Sequence, residues 1–123
     1  MSPTKIMIVE DEVIAAMATA RMLQKLGFDV CGNVSSGEEA LLAFEGKCPD
    51  IIIMDIRLDG ELDGIETTRR MKMRRDIPVI FVTAYSDDCT RTRAEATKPL
   101  AFINKPLDMA QLRRILSDLR LPG

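Results

Sequence analysis

Asp50-Ile51-Ile52-Ile53-Met54-Asp55 sets four consecutive apolar residues between two acids. A strand with one wet face alternates apolar and polar side chains. A strand covered on both faces does not, so this run reads as a central strand with layers on either side. The run also ends abruptly at Asp55, a carboxylate that apolar burial alone does not explain. Three further short apolar runs share the design. Lys5 to Val9 ends in Glu10-Asp11-Glu12, Pro78 to Val82 ends at Thr83, and Leu100 to Ile103 ends just before Lys105-Pro106. Phe28 to Val34 is read as a fifth strand.

Helical patterns lie between these runs. Val13, Ala16, Met17, Ala20 and Leu23 fall at helical spacing, with Gly27 as the stop. Ser35-Ser-Gly-Glu38 and Ser36-Gly-Glu-Glu39 are overlapping capping boxes for a helix carrying Leu41 and Phe44 and ending near Gly46. A polar loop from Arg57 to Gly64 precedes a helix opened by Asp63-Gly-Ile-Glu66, whose apolar positions Ile65, Met71 and Met73 give a weak pattern. Ser86, Asp87 and Asp88 cap a mostly polar helix to about Ala96. Asp108-Met-Ala-Gln111 opens the last helix, with Leu112, Ile115, Leu116 and Leu119 on one stripe. Five β-α units imply an α/β fold with a parallel sheet, right-handed crossovers and helices on both faces. In such a sheet the ligand site lies beyond the carboxyl ends of the strands. Glu10, Asp11, Asp55, Thr83 and Lys105 all sit at those ends.

The bulk numbers bound the chemistry. The chain has 123 residues, 46% hydrophobic and 29% charged, with a net charge of -2, as expected of one globular domain with no call for nucleic acid. It has no His, so general base and metal-ligand roles fall to carboxylates, Lys, hydroxyls and backbone. Cys31, Cys48 and Cys89 form no CxxC and argue against a disulfide framework or a zinc site. No apolar run approaches the ~20 residues of a membrane helix. A cytoplasmic protein without membrane insertion is therefore expected.

Three neighbouring carboxylates repel one another unless a cation joins them, and an all-oxygen donor set favours a hard ion such as Mg²⁺. Asp55 can then act as a carboxylate nucleophile toward phosphorus, with the metal and Lys105 stabilising charge on the phosphoryl oxygens and Thr83 donating a hydrogen bond. Other readings stay open at individual positions. Glu12 and part of Asp11 are explained by favourable charge at a helix N-terminus. Phe102 taken alone is a core aromatic. Arg69-Arg70, Lys72 and Arg74-Arg75 read as a solvated helix face, and Arg91, Arg93 and Lys98 as solvated cations. The eight methionines read as core fillers.

Val-Glu10-Asp11-Glu, Met-Asp55, Val-Thr83-Ala84 and Asn-Lys105-Pro106, in this order and each at an expected strand end, resemble a response regulator receiver domain of two-component signalling, of the single-domain type. The resemblance implies a flavodoxin-like three-layer sandwich with five parallel strands in order 2-1-3-4-5 and five helices. It implies one receiver over 1–123, with its core at about 5–119. Asp55 would accept a phosphoryl group from a sensor histidine kinase or a histidine phosphotransfer protein. Asp11, Asp55 and the Arg57 backbone carbonyl would bind Mg²⁺, and Glu10 would act through water. Thr83 and Phe102 would form a switch that remodels the face of helix 4, strand 5 and helix 5 toward a downstream protein. The Lys105–Pro106 bond would be cis. Arg57 and Tyr85 would flank the path of attacking water and lengthen phosphoryl lifetime. The chain departs from the common pattern in Glu10 for Asp, in a longer loop after Asp55, and in Lys98-Pro99 where many receivers carry Gly. Two alternatives accompany this reading: an aspartyl-nucleophile phosphatase or phosphotransferase, and a receiver piece of a larger regulator or hybrid kinase.

Overall fold

The computed structural model describes residues 3–84 and 87–119. Five strands and five helices alternate: β1 Lys5–Val9, α1 Val13–Lys25, β2 Asp29–Val34, α2 Gly37–Lys47, β3 Ile51–Met54, α3 Gly64–Arg74, β4 Val79–Thr83, α4 Asp88–Ala96, β5 Ala101–Asn104 and α5 Met109–Asp118. The strands form one sheet in order β2-β1-β3-β4-β5, with every pairing parallel. The doubly wound sandwich implied by the resemblance is the fold observed, and β3 is its centre.

Two cores flank the sheet, and strand alternation assigns residues to them. Ile6, Ile8, Ile51, Ile53, Ile80, Val82 and Ile103 pack with Ala16 and Leu23 of α1 and Leu112 and Leu116 of α5. Met7, Val9, Ile52, Met54, Val79 and Phe81 pack with Ala40 and Phe44 of α2, Ile65 and Met71 of α3 and Ala94 of α4. All four residues of β3 are buried, as a two-sided strand requires.

The caps follow local chemistry. Of the two overlapping boxes at α2, the second forms its first half: Ser36 Oγ accepts from Glu39 N at 3.1 Å. The Glu39 carboxylate turns back to Ser35, accepting from its N–H at 3.0 Å and its hydroxyl at 3.1 Å. Asp63, Asp87 and Asp108 cap α3, α4 and α5. Ser86, read as part of the α4 cap, lies outside the described residues.

Several expectations are corrected. Val13 and Met17 are on the helical stripe of α1 yet lie 68% and 56% exposed, so Ala16 and Leu23 alone carry its deep packing. Met7, Met54 and Met71 fill the core, whereas Met73 points to solvent. The weak apolar pattern of α3 arises because two threonines, Thr67 and Thr68, occupy buried positions. Thr67 does so by returning its hydroxyl to Asp63 O at 2.8 Å. The basic cluster of α3 is not one solvated face. Arg69 and Arg70 pair with Glu66, but Lys72 Nζ donates to Lys98 O at 2.7 Å, and Arg75 donates to Pro49 O at 2.7 Å while lying over the Phe44 ring. On α4, Arg91 lies over the Phe102 ring at 4.8 Å and Arg93 pairs with Asp63 at 3.1 Å. α2 runs through Gly46 and ends on Cys48, in the left-handed region at φ 47°.

Candidate functional site

Register brings the site together. Val9 pairs with Met54 and Met54 with Phe81, while Thr83 pairs with Asn104, so the next residues along β1, β3 and β5 emerge at one edge. Backbone hydrogen bonds extend this order past the strands, from Asp55 N to Val9 O, Glu10 N to Val34 O and Lys105 N to Thr83 O, each 2.9 Å. The turn into α5 carries the cis Lys105–Pro106 bond.

Lys105 is the hub. Its ammonium donates to Glu10 Oε1 at 2.6 Å and Asp55 Oδ2 at 2.9 Å, with Glu12 Oε1 at 3.9 Å. Asp55 Oδ1 accepts from Ile56 N at 2.7 Å. Asp55 is 7% exposed and Glu10 9%. One oxygen from each of Glu10, Asp11 and Asp55 lies within 4.8 Å of the others. Among the described residues, Glu10 Oε2 is buried without a hydrogen-bond partner.

Burial, reinforced by the Asp55 carboxylate beside it, pushes the Glu10 carboxyl up to about 7 against the opposing pull of Lys105. Burial also works against the Lys105 ammonium, but its hydrogen bonds to Asp55 and Glu10 outweigh that and hold it above the ordinary lysine value. The edge is therefore short of positive charge. A donor set of three carboxylates with one unsatisfied buried oxygen is chemically suited to a hard divalent cation.

The expected site residues divide between the two faces. By alternation Glu10, Asp55 and Lys105 continue the rows facing α1 and α5, where a cavity of about 290 Å³ lies between α1 and Leu107. Thr83 is fully buried, and it and Phe102 belong to the rows facing α4. Phe102 is half-buried, with its ring centroid 6.2 Å from that of Phe81. Arg57 is exposed at the start of the loop after Asp55, and its charge helps hold the Asp87 carboxyl below its usual range, behind the larger effect of the Thr90 hydrogen bonds. Tyr85 lies outside the described residues.

Gly64 is a site residue that the sequence reading passed over. Its N–H donates to Ile56 O at 2.7 Å, and a Cβ there would sit 2.0 Å from Asp55 O, so no other side chain fits behind the acid. Its mark in the sequence is the Asp63-Gly64 pair, which equally fits a helix start.

The response regulator receiver domain family matches residues 6–117. The chain belongs to that family. Receivers are signalling regulators rather than metabolic enzymes, and they bind Mg²⁺ at an acidic pocket, with which the Glu10, Asp11 and Asp55 group is compatible. This receiver is 31% identical over 110 residues to the transcriptional regulatory protein PdtaR of Mycobacterium tuberculosis, covering 89% of this chain and 53% of that protein. It is 32% identical over 116 residues to the phyllosphere-induced regulator PhyR of Methylorubrum extorquens, covering 94% and 43%. It thus spans about half the length of these relatives. Among solved structures, the signal receiver domain of a modulated diguanylate cyclase from Desulfovibrio desulfuricans G20 superposes with a TM-score of 0.88 at 36% identity, covering 94% of this chain and 92% of that one. A chain of the CheX–CheY–BeF3–Mg²⁺ complex from Borrelia burgdorferi gives 0.83 at 25% identity, covering 93% and 87%. No helix among the described residues is long and apolar enough to cross a membrane.

Proposed function

We propose that this receiver accepts a phosphoryl group on Asp55 from a phosphohistidine of a sensor histidine kinase or histidine phosphotransfer protein, and thereby controls a downstream protein through the face of α4, β5 and α5. The observation that carries the reading is the convergence of Asp55, Glu10 and Lys105 within hydrogen-bond distance at one sheet edge. Asp55 Oδ1 is held by the fixed backbone N–H of Ile56, whereas the partner of Oδ2 is the mobile Lys105 ammonium, so Oδ2 is the attacking oxygen. As the O–P bond forms, the N–P bond of the donor breaks and the imidazole departs with its electron pair. Lys105 then moves its ammonium from the carboxylate to a phosphoryl oxygen, and Thr83 donates its hydroxyl to another.

Asp11, Asp55 and the Arg57 carbonyl would hold Mg²⁺, with Glu10 bound through water. The ion supplies charge neutralisation for both the acids and the incoming phosphoryl group. A neighbour solved as a BeF3–Mg²⁺ complex supports that choice. Thr83 and Phe102, on the face rows toward α4, would carry the change to the output face, and Arg57 with Tyr85 would shield the phosphoryl group from water. The receiver is proposed to act as one domain.

Intact mass after incubation with Mg²⁺ and acetyl phosphate tests the assignment: wild type gains one phosphoryl group and Asp55→Asn gains none. An equal adduct on the variant, or none on wild type, overturns it. Decay after removal of the donor tests the shielding role, and a lifetime no longer than that of the Arg57→Ala, Tyr85→Ala double variant counts against it.

A further inference from the structure

We propose that Glu38, in the first turn of α2, is a positioning residue for the phosphoacceptor site, acting through the loop between β3 and α3. The inference rests on the reading of Asp55 as a Mg²⁺-dependent phosphoacceptor.

That loop leaves Asp55 and returns to it. Arg57, whose backbone carbonyl is proposed to face the cation, begins it, and Gly64 closes it against Ile56 O and Asp55 O. Between them Arg57, Asp59, Gly60 and Glu61 are exposed, and Leu58 and Leu62 are only half-buried. Segments with so little apolar packing open easily. A carbonyl on such a segment needs another restraint to stay in place.

α2 supplies that restraint. Ser36 forms a parallel backbone bridge with Asp59. The Glu38 carboxylate accepts from Glu61 N at 3.0 Å. Gly60, at φ +91°, folds the chain closely around that carboxylate, and a Cβ there would lie 2.8 and 2.9 Å from its two oxygens. The Glu61 N–H foremost, then Glu38's own N–H and that of Leu62, keeps the Glu38 carboxyl below the usual range.

Two adjacent glutamates thus do different work. Glu39 exchanges hydrogen bonds with Ser35 and Ser36 and closes the helix cap. Glu38 has no part in that cap and reaches a segment 23 residues on. A carboxylate on the first turn of a helix is also favoured by the helix dipole, which helps keep it charged for this contact.

Amide exchange and calorimetric Mg²⁺ titration of wild type, Glu38→Ala and Glu38→Gln test the role. In Glu38→Ala without cation, the Glu61 amide is expected to exchange ~10-fold faster. Its Mg²⁺ dissociation constant is expected to rise about tenfold, the lower end for residues that orient ligands. Glu38→Gln keeps an acceptor oxygen without the charge and is expected to recover most of the affinity. Glu38→Ala binding Mg²⁺ as tightly as wild type, or Glu38→Gln no better than Glu38→Ala, would overturn the inference while leaving the phosphoacceptor reading intact. Wild type that binds no Mg²⁺ would sink the phosphoacceptor reading and this role with it. Glu61 exchange, which needs no cation, would still report whether Glu38 holds the loop.

Discussion

The two edges of the sheet spend their charges differently. At the amino edge several charged groups answer a backbone group or an aromatic ring, and Arg74, which donates to the Leu41 carbonyl at 3.3 Å, also pairs with Glu45 at 3.5 Å. Lys5 N–H donates to Asp50 at 2.8 Å, Lys72 to the Lys98 carbonyl, and Arg75 to the Pro49 carbonyl while lying over Phe44. At the carboxyl edge the charges answer one another, with Glu10, Asp55 and, farther off, Glu12 around the Lys105 ammonium, and the buried Glu10 Oε2 left over. One edge closes the sandwich. The other keeps carboxylates crowded beyond what one ammonium neutralises, a repulsion that a bound cation would relieve.

The sharpest way to break this contrast is Gly64→Ala. Its Cβ would meet Asp55 O at 2.0 Å, and backbone cannot yield as a flexible side chain does. Overpacking of this kind costs about 3 kcal/mol. Urea unfolding should show that loss, and a variant as stable as wild type would mean that the loop backs away freely.

Glu10→Gln is expected to act in the opposite direction. Folding raises the Glu10 pKa from 4.5 to about 7, so the folded protein binds the proton more tightly than the unfolded chain. Stability from this group is full below pH 4.5 and falls as pH rises toward 7. In EDTA at pH 8 the variant should be more stable than wild type by about 1–3 kcal/mol, and that advantage should shrink by pH 4.5. Denaturant curves at both pH values read it, and an advantage independent of pH would exclude titration of Glu10 as its source.

At the amino edge, Arg75→Ala removes a hydrogen bond and a ring contact with no compensating relief, for a loss of about 1–2 kcal/mol. Because both partners, the Pro49 carbonyl and the Phe44 ring, are uncharged at any pH, the loss should be the same at pH 5 and pH 8. A pH-dependent loss would blur the distinction between the edges.

Sequence patterns disclosed the sheet because two-sided burial leaves a plain mark: Ile51 to Met54 can hardly be anything but a central strand. They also foretold that Glu10, Asp55 and Lys105 meet, because parallel strands carry their last residues to one edge whatever the loops do. What they could not disclose depends on distances between elements. Thr67 looks polar in sequence, and only the α2–α3 approach, where a Cβ on Gly37 would meet its Oγ1, explains its burial. The stripe of α1 has helical spacing, but nothing in that spacing says that Val13 and Met17 lie past the edge of the core. Glu38 reads as one more helix-start acid until the loop is seen closing on it. Lys98 is a partial success. It stands where many receivers carry Gly, and its φ of 57° puts it in the left-handed region that favours glycine.

The guanidinium of Arg91 rests on the ring of Phe102, half of which faces the interior. A turn of that ring therefore also strands or relocates a positive charge on the outside of α4. Repacking among apolar side chains, normally invisible from solvent, would here redraw the electrostatic map that an approaching protein meets.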